Sequence, residues 1–112
     1  MDPTCSALGI IPKLAIKTTV QNVENSADYQ KQFLTTASHI TKKDGTIVYS
    51  VCTITKQECE DVVSFAEEEL GLTLEKQSPV LGENGFDQDH LSQRFNPDTH
   101  QTGYFIARFI KN

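Results

Sequence analysis

Apolar residues recur along the chain with two different periods, and the period indicates where helices and strands are expected. Four of them recur at helical spacing: Tyr29, Phe33, Ala37 and Ile40. This spacing predicts an amphipathic helix over residues 27–41. Asn25 and Ser26 are suited to cap its start. The KKDG segment that ends at Gly45 supplies cationic residues and a glycine turn for its end.

Extended segments are marked by β-branched and aromatic residues. The sequence TIVYSVC predicts a buried strand over residues 46–52, and the sequence YFIARFI predicts another over residues 104–110. A short strand is expected over residues 72–76. The segment 78–102 is rich in Pro, Gly, Asn, Asp and Gln, so it is predicted to be a loop.

A second helix is expected over residues 57–70, directly after the strand at 46–52. Thr55 and Glu58 have the spacing of a capping box, apolar residues follow at helical spacing, and Gly71 would end the helix. The predicted order is therefore loop, helix, strand, helix, strand, loop, strand. This order is typical of half of an α/β domain with a sheet at its centre.

Length and charge narrow the range of functions. The 112 residues suffice for one small domain, and their composition does not indicate disorder. The formal net charge of -5 and the scattered lysines count against the chain alone gripping nucleic acid. No apolar run approaches the roughly 20 residues needed to cross a membrane, and no secretory signal is present. We therefore expect a soluble cytoplasmic protein with no membrane partner.

The three cysteines carry the candidate chemistry. Cys5, Cys52 and Cys59 are odd in number and lack zinc-site spacing, so neither a disulfide framework nor a metal site is expected. Cys5 lies in DPTCS, a turn-forming segment of the kind that follows a strand, and Cys52 ends the strand at 46–52. In open α/β sheets the ligand crevice lies beyond the carboxyl ends of the strands. If the two strands are neighbours, both thiols face one crevice, where one can attack and the other assist.

Three segments in order give this pair of cysteines a specific context. DPTCSALG resembles the first cysteine motif of the Sun-type (Nol/Nop/Sun) RNA cytosine-5 methyltransferases. GTIVYSVCTITKQECEDVVSF is similar to the second cysteine motif of that family, which continues into a helix opening with E-N-E. RFNPDTHQTGYFIARFIK is similar to the family's closing strand. Together the three segments span nearly the whole chain.

The resemblance implies a mechanism and a set of site residues. Cys52 would be the nucleophile that adds to carbon 6 of cytosine, and Cys5 would assist release of the covalent adduct. Asp2 would lie beside the methyl group of S-adenosylmethionine and contact the target base. Pro12 and Lys13 would contact the RNA substrate, a tRNA or an rRNA. The target base must be flipped out or already unpaired to enter such a site.

The resemblance also implies what the sequence lacks. Family members bind S-adenosylmethionine through a glycine-rich turn, and the six glycines of this chain form no such turn. We therefore expect residues 1–112 to be the C-terminal half of the catalytic domain of a Rossmann-like methyltransferase, with a truncated sheet. The N-terminal half, another partner chain or a second copy would complete it. The chain by itself is expected to be inactive.

Two alternatives to catalysis remain open. The chain could be a non-catalytic remnant that acts as a protein-interaction domain, because the donor-binding turn is missing. A thiol-based redox function through Cys5 and Cys52 ranks last, because no CxxC motif supports it. Cys59 is expected on the helix surface or in the core. Of the histidines, His100 is expected to have a structural role in a loop, and the other two are expected on the surface.

Overall fold

The computed structural model describes residues 20–78, 80–86, 91–95 and 103–112, with side chains from residue 23 onward. These residues form two helices and five strands. The helices are α1 (Val20–Ile40) and α2 (Glu60–Glu69). The strands are β1 (Thr46–Val51), β2 (Thr73–Glu75), β3 (Glu83–Asn84), β4 (Gln93–Phe95) and β5 (Tyr104–Ile110).

Strand β5 is the centre of the described sheet. It pairs antiparallel with β1 over the whole of β1, from Thr46↔Ile110 to Val51↔Phe105. β2 and β4 also pair antiparallel with β5, and β3 extends the sheet beyond β4. Since β1 occupies one edge of β5 along its length, β2 and β4 share the other edge. β1 and β2 are both antiparallel to β5, so they run parallel to each other and α2 connects them.

The hydrophobic core lies between one face of this sheet and the two helices. Side chains of β5 alternate, with Phe105, Ala107 and Phe109 fully buried and their neighbours along the strand half-buried. The same cluster contains buried residues of both helices and of β1 and β2: Leu34, Ile47, Tyr49, Val51, Val62, Val63, Ala66 and Leu74. This period-2 burial is typical of a strand with one covered face.

Helix α1 differs from the prediction in its start and in its buried face. It begins at Val20, so Asn25 and Ser26 lie inside the helix and do not cap it. Three of the four residues that predicted the helix are exposed: Tyr29 by 49%, Phe33 by 45% and Ile40 by 81%. The fourth, Ala37, is half-buried against the core. The face that packs on the core is a neighbouring one, formed by Val23, Ala27, Gln30, Leu34 and Ser38. Helical spacing therefore identified the element but not the side that is covered.

The strands predicted over residues 46–52 and 104–110 are confirmed as β1 and β5. β2 lies within the short strand predicted over residues 72–76. The second helix begins later than predicted, at Glu60 rather than at residue 57. Its predicted end is confirmed, because Gly71 has φ +66 and Leu72 N–H donates to the Ala66 carbonyl at 3.1 Å.

The segment 78–102 was predicted to be a loop, and the structure corrects this in part. Gln93–Phe95 pairs with β5, and Glu83–Asn84 pairs with Gln93 and Arg94. Strands of two or three residues in a Gly-rich and Asn-rich segment give no periodic signal, so only their pairing with β5 defines them. In the described part of the chain, neither helix has the length and apolarity needed to span a membrane.

Candidate active site

Cys52 lies one residue beyond the end of β1 and is half-buried. Cys59, the other cysteine among the described residues, is fully buried in the core, and its Sγ lies 3.7 Å from the Thr53 carbonyl oxygen. Neither of the two is in a disulfide. Of these two thiols, Cys52 alone has the exposure that a reaction with an external substrate requires. The core position expected as one option for Cys59 is confirmed.

The segment from Cys52 to Cys59 connects β1 to α2 without regular structure, and we call it the Cys52 loop. A buried carboxylate lies behind it. Glu58 has no exposed surface, and its Oε2 accepts hydrogen bonds from the Thr55 hydroxyl at 2.6 Å and the Thr53 hydroxyl at 3.0 Å. Both threonines belong to the loop, so one carboxylate oxygen binds the loop at two positions.

The same glutamate ties the Cys52 loop to the rest of the fold. Its Oε1 accepts a hydrogen bond from Gln30 Nε2 of α1 at 3.1 Å. Its backbone carbonyl accepts one from the Tyr49 hydroxyl of β1 at 2.7 Å, and that hydroxyl also lies 3.0 Å from Gln30 Oε1. Gln30, Tyr49 and Glu58 therefore form one buried polar network beneath the loop. Burial of polar groups is tolerated when such bonds are made.

These contacts correct the predicted capping box. The Thr55 hydroxyl donates to the Glu58 side chain rather than accepting from the backbone, and no side chain caps the start of α2 at Cys59. The T-x-x-E spacing is that of a capping box, but the Glu58 carboxylate is buried and accepts from Gln30, Thr53 and Thr55 instead. The helix begins at Glu60.

A buried ion pair between Arg94 and Glu60 also contacts the Cys52 loop. Arg94 Nε of β4 donates to Glu60 Oε2 at 2.6 Å, Arg94 Nη2 donates to Glu60 Oε1, and the two side chains are only 6% and 4% exposed. Arg94 Nη1 donates to the Ile54 carbonyl of the loop at 2.8 Å. The ring of Phe86 lies 4.3 Å from the guanidinium carbon, and its backbone N–H donates to Glu60 Oε2 at 3.0 Å.

The electrostatics of this pair fix the charge of Arg94. Burial by itself would lower the pKa of Arg94, but the hydrogen bond and the negative charge of Glu60 outweigh it and raise that pKa above its ordinary value. Arg94 therefore remains cationic, and its charge is taken up by a carboxylate inside the fold. Bidentate pairing of this kind also sets a definite geometry.

Four predicted site residues lie outside the described residues: Asp2, Cys5, Pro12 and Lys13. His90 and His100, which were expected on the surface and in a structural loop role, lie outside them too. His39 is exposed, as expected. Sequence reasoning missed Gln30, Glu58, Glu60 and Arg94 as residues of the site. A signal for two of them was present, because Glu58 and Glu60 are the two acids of the E-C-E segment that stands in the place of the family's E-N-E.

The described residues show neither a metal-ligand cluster nor, at Gly45, Gly71 and Gly82, a glycine-rich turn for the methyl donor. In this part of the chain no group of three potential metal ligands occurs. Gly45 precedes β1, Gly71 follows α2, and Gly82 lies against the Arg94 backbone, so these glycines do not form a strand–turn–helix loop for S-adenosylmethionine.

Comparison with known proteins places this arrangement in a family. The model of the family described as 16S rRNA methyltransferase RsmB/F matches residues 1–110. A tRNA (cytosine(72)-C(5))-methyltransferase of Pyrococcus horikoshii is 38% identical over 112 residues, covering 99% of this chain and 28% of that enzyme. The rRNA (cytosine-C(5))-methyltransferase NOP2C of Arabidopsis thaliana is 33% identical over 130 residues, covering 97% of this chain and 22% of that protein.

Solved structures show the same fold. The crystal structure of NSun6 from Pyrococcus horikoshii with SFG superposes with a TM-score of 0.91 and 38% identity, covering 99% of this chain and 29% of that one. A methyltransferase homologue from the same organism superposes with a TM-score of 0.86 at 24% identity, and the match covers 100% of this chain and 38% of that one. The predicted α/β fold of a partial Rossmann-like methyltransferase domain is thus confirmed. The chain spans between about a fifth and two fifths of the proteins that it matches here. The matched family model and the identity to the cytosine-C5 enzymes together show that this chain belongs to the RsmB/F family of RNA methyltransferases, the Sun-type family that its cysteine motifs resemble.

Proposed function

We propose that this chain is the C-terminal part of an enzyme that methylates carbon 5 of cytosine in tRNA or rRNA, with Cys52 as its nucleophile. The observation that carries the proposal is the position of Cys52: a half-buried thiol directly after strand β1, followed by a loop that buried polar groups hold. The names of the relatives support cytosine-C5 transfer to RNA. The SFG in the archaeal structure, an analogue of S-adenosylmethionine, supports the choice of donor.

The chemistry explains why a thiol is needed. Carbon 5 of cytosine is a poor nucleophile, so the Cys52 thiolate first forms a bond to carbon 6, and the ring becomes an enamine. When bound, S-adenosylmethionine would supply the electrophilic methyl group for carbon 5, and its sulfur–methyl bond would break to leave S-adenosylhomocysteine. Loss of the proton from carbon 5 then expels the Cys52 thiolate and restores the aromatic ring. The thiolate is regenerated, so Cys52 acts as a catalyst.

The remaining roles follow the family pattern and belong to the same proposal. Cys5 would assist release of the adduct, Asp2 would contact the donor and the cytosine, and Pro12 and Lys13 would contact the RNA. Residues 1–112 would form the C-terminal half of the catalytic domain, and an N-terminal half would hold the methyl donor. The chain alone would then be inactive. A cytoplasmic location stays a prediction.

A chimera tests this proposal. Residues 1–112 would replace the matching segment of the Pyrococcus horikoshii tRNA methyltransferase, and methyl transfer from labelled S-adenosylmethionine to tRNA would be measured. We expect Cys52→Ala to abolish both turnover and the covalent RNA adduct. Cys5→Ala should instead accumulate the adduct, and Cys59→Ser should retain turnover. A well-folded chimera with Cys52→Ala that still methylates tRNA would show that Cys52 is not the nucleophile.

A non-catalytic interaction domain is the second candidate, and the exposed apolar face of α1 favours it. Tyr29, Phe33 and Ile40 present apolar surface to solvent. Such surface is typical of contact sites, either for a partner chain or for a second copy. Calorimetry separates the candidates, because micromolar binding of S-adenosylmethionine by the isolated chain would argue against a remnant. Sedimentation of the chain tests its self-association.

A further inference from the structure

We infer that Glu58 is a positioning residue for the Cys52 thiol: its buried carboxylate holds the Cys52 loop in the conformation from which the thiol attacks. The inference rests on the proposed function, because positioning has meaning only if Cys52 reacts. Glu58 does not touch a substrate. It acts through Thr53 and Thr55, which lie between it and the thiol along the chain.

The two oxygens of the Glu58 carboxylate face different parts of the fold. Oε1 accepts from Gln30 of the long helix α1, and Oε2 accepts from the hydroxyls of Thr53 and Thr55. One rigid group thus links the loop to a helix that packs on the core. Thr53 is the residue directly after Cys52 and is fully buried. Fixing its side chain therefore restricts the peptide that joins it to Cys52.

An apolar residue at position 58 would fill the same space but would not hold the loop. The buried Thr53 hydroxyl and the Gln30 amide would each lose this acceptor. What Glu58 adds to packing is direction, because hydrogen bonds impose a definite geometry on their donors. Here the donors are two loop hydroxyls and an amide, so the group whose geometry is imposed is the loop beside the reactive thiol.

Backbone contacts on both sides of the Cys52 loop support the same conclusion. The Tyr49 hydroxyl of β1 donates to the Glu58 carbonyl at 2.7 Å, and Arg94 Nη1 donates to the Ile54 carbonyl at 2.8 Å. The loop is thus held at two carbonyls and two hydroxyls, although it lies between regular elements. A displacement of about 1 Å in a reacting group can cost about 10²-fold in rate, so such fixation is expected to matter for catalysis.

The test uses the same chimera with two substitutions at this site and one elsewhere. Glu58→Leu keeps a similar volume and removes both acceptors. Glu58→Gln keeps one acceptor oxygen and is the conservative variant, which also carries the test if the leucine variant does not fold. Leu74→Ala is the matched control, because Leu74 is buried in β2 opposite Phe109, at the end of the sheet away from Cys52.

The expected results are a split between kcat and KM and a local loosening of the loop. For Glu58→Leu, kcat should fall by about 10²-fold while KM for tRNA changes little, and Glu58→Gln should lie between it and the parent. In the chain itself, the amides of residues 53–55 should exchange faster in Glu58→Leu, whereas those of β5 should not. Leu74→Ala should leave kcat per folded molecule unchanged.

Other outcomes separate this inference from the proposed function. Parental kcat in both Glu58 variants, with an inactive Cys52→Ala variant, would overturn the positioning role and leave the nucleophile intact. An equal fall of kcat in Leu74→Ala and Glu58→Leu would also overturn it, since the effect would then be a general loss of packing. An active Cys52→Ala variant would refute the proposed nucleophile, and the exchange measurement would still report whether Glu58 holds the loop.

Discussion

Replacing Arg94 by methionine should be among the most destabilising single changes in the described chain. The change removes one partner of a buried pair whose side chains are 6% and 4% exposed. Glu60 is then left as a buried carboxylate that has lost its cation, although the Phe86 N–H still donates to it. The Ile54 carbonyl loses its bond to Arg94 as well. Breaking a buried ion pair from one side typically costs about 3–5 kcal/mol.

This loss is large compared with the stability of the chain. A protein of this size is stable by about 6–17 kcal/mol, at roughly 0.05–0.15 kcal/mol per residue. Each 1 kcal/mol lowers Tm by about 4 °C in a domain slightly above 100 residues, so Arg94→Met should lower Tm by about 10–20 °C. Urea unfolding followed by circular dichroism gives the free energy directly if the transition is two-state.

Arg108→Met is the matched control for this measurement. Arg108 Nη2 lies 3.8 Å from Glu75 Oε2, and the two side chains are 41% and 38% exposed. An exposed pair of this kind contributes about 0–1 kcal/mol, so the same substitution there should have a small effect. The double variant Glu60→Leu/Arg94→Met should recover most of the loss, because no uncompensated charge remains. An Arg94→Met variant no less stable than Arg108→Met would refute the reasoning.

Three further predictions concern the polar network, the end of α2 and the exposed face of α1. Tyr49→Phe should cost about 1–3 kcal/mol in urea unfolding, because the buried Glu58 carbonyl loses its donor. Tyr29→Phe, at a site 49% exposed, is its control and should change stability by less than about 0.5 kcal/mol. Gly71→Ala should lower the free energy of unfolding by about 1–2 kcal/mol, because φ is +66 there, and an unchanged Tm would contradict this. Phe33→Lys should leave the stability of the monomer unchanged but weaken any self-association measured by sedimentation, since that side chain is 45% exposed.

The local sequence pattern was sufficient to predict an element when the same residues define its bounds and its buried face. Strand β5 alternates buried and half-buried residues along its length, and its bounds agree with the predicted 104–110. Helix α1 shows where local spacing is insufficient. Its sequence contains an apolar stripe through Phe33 and a second, partly polar stripe through Gln30, and the second one is buried. The burial of Gln30 could not be read locally, because its partner Glu58 is 28 residues away in sequence.

In the candidate site, too, some features can be read from the local sequence and others depend on distant residues. Cys52 is predicted from its motif, and the structure shows it directly after β1, at the predicted end of the strand. The role of Glu58 could not be read from the sequence, because its spacing from Thr55 also fits a capping box. Arg94 is 34 residues from Glu60 along the chain, and the pair forms only because β4 pairs with β5. Long-range pairing of short strands leaves no local signal.

The charges of this chain indicate which part of the protein would bind RNA. The sequence contains two arginines, Arg94 and Arg108, and both face carboxylates, those of Glu60 and Glu75. The guanidinium of Arg94 is buried and paired with Glu60, so it is not accessible to a phosphate. Phosphate contacts dominate the affinity and salt dependence of RNA binding, and the net charge of this chain is -5. Because both arginines are paired with carboxylates and the net charge is negative, we expect most of the RNA affinity to come from other parts of the protein. In the chimera, the salt dependence of tRNA binding should accordingly follow the archaeal segments rather than residues 1–112.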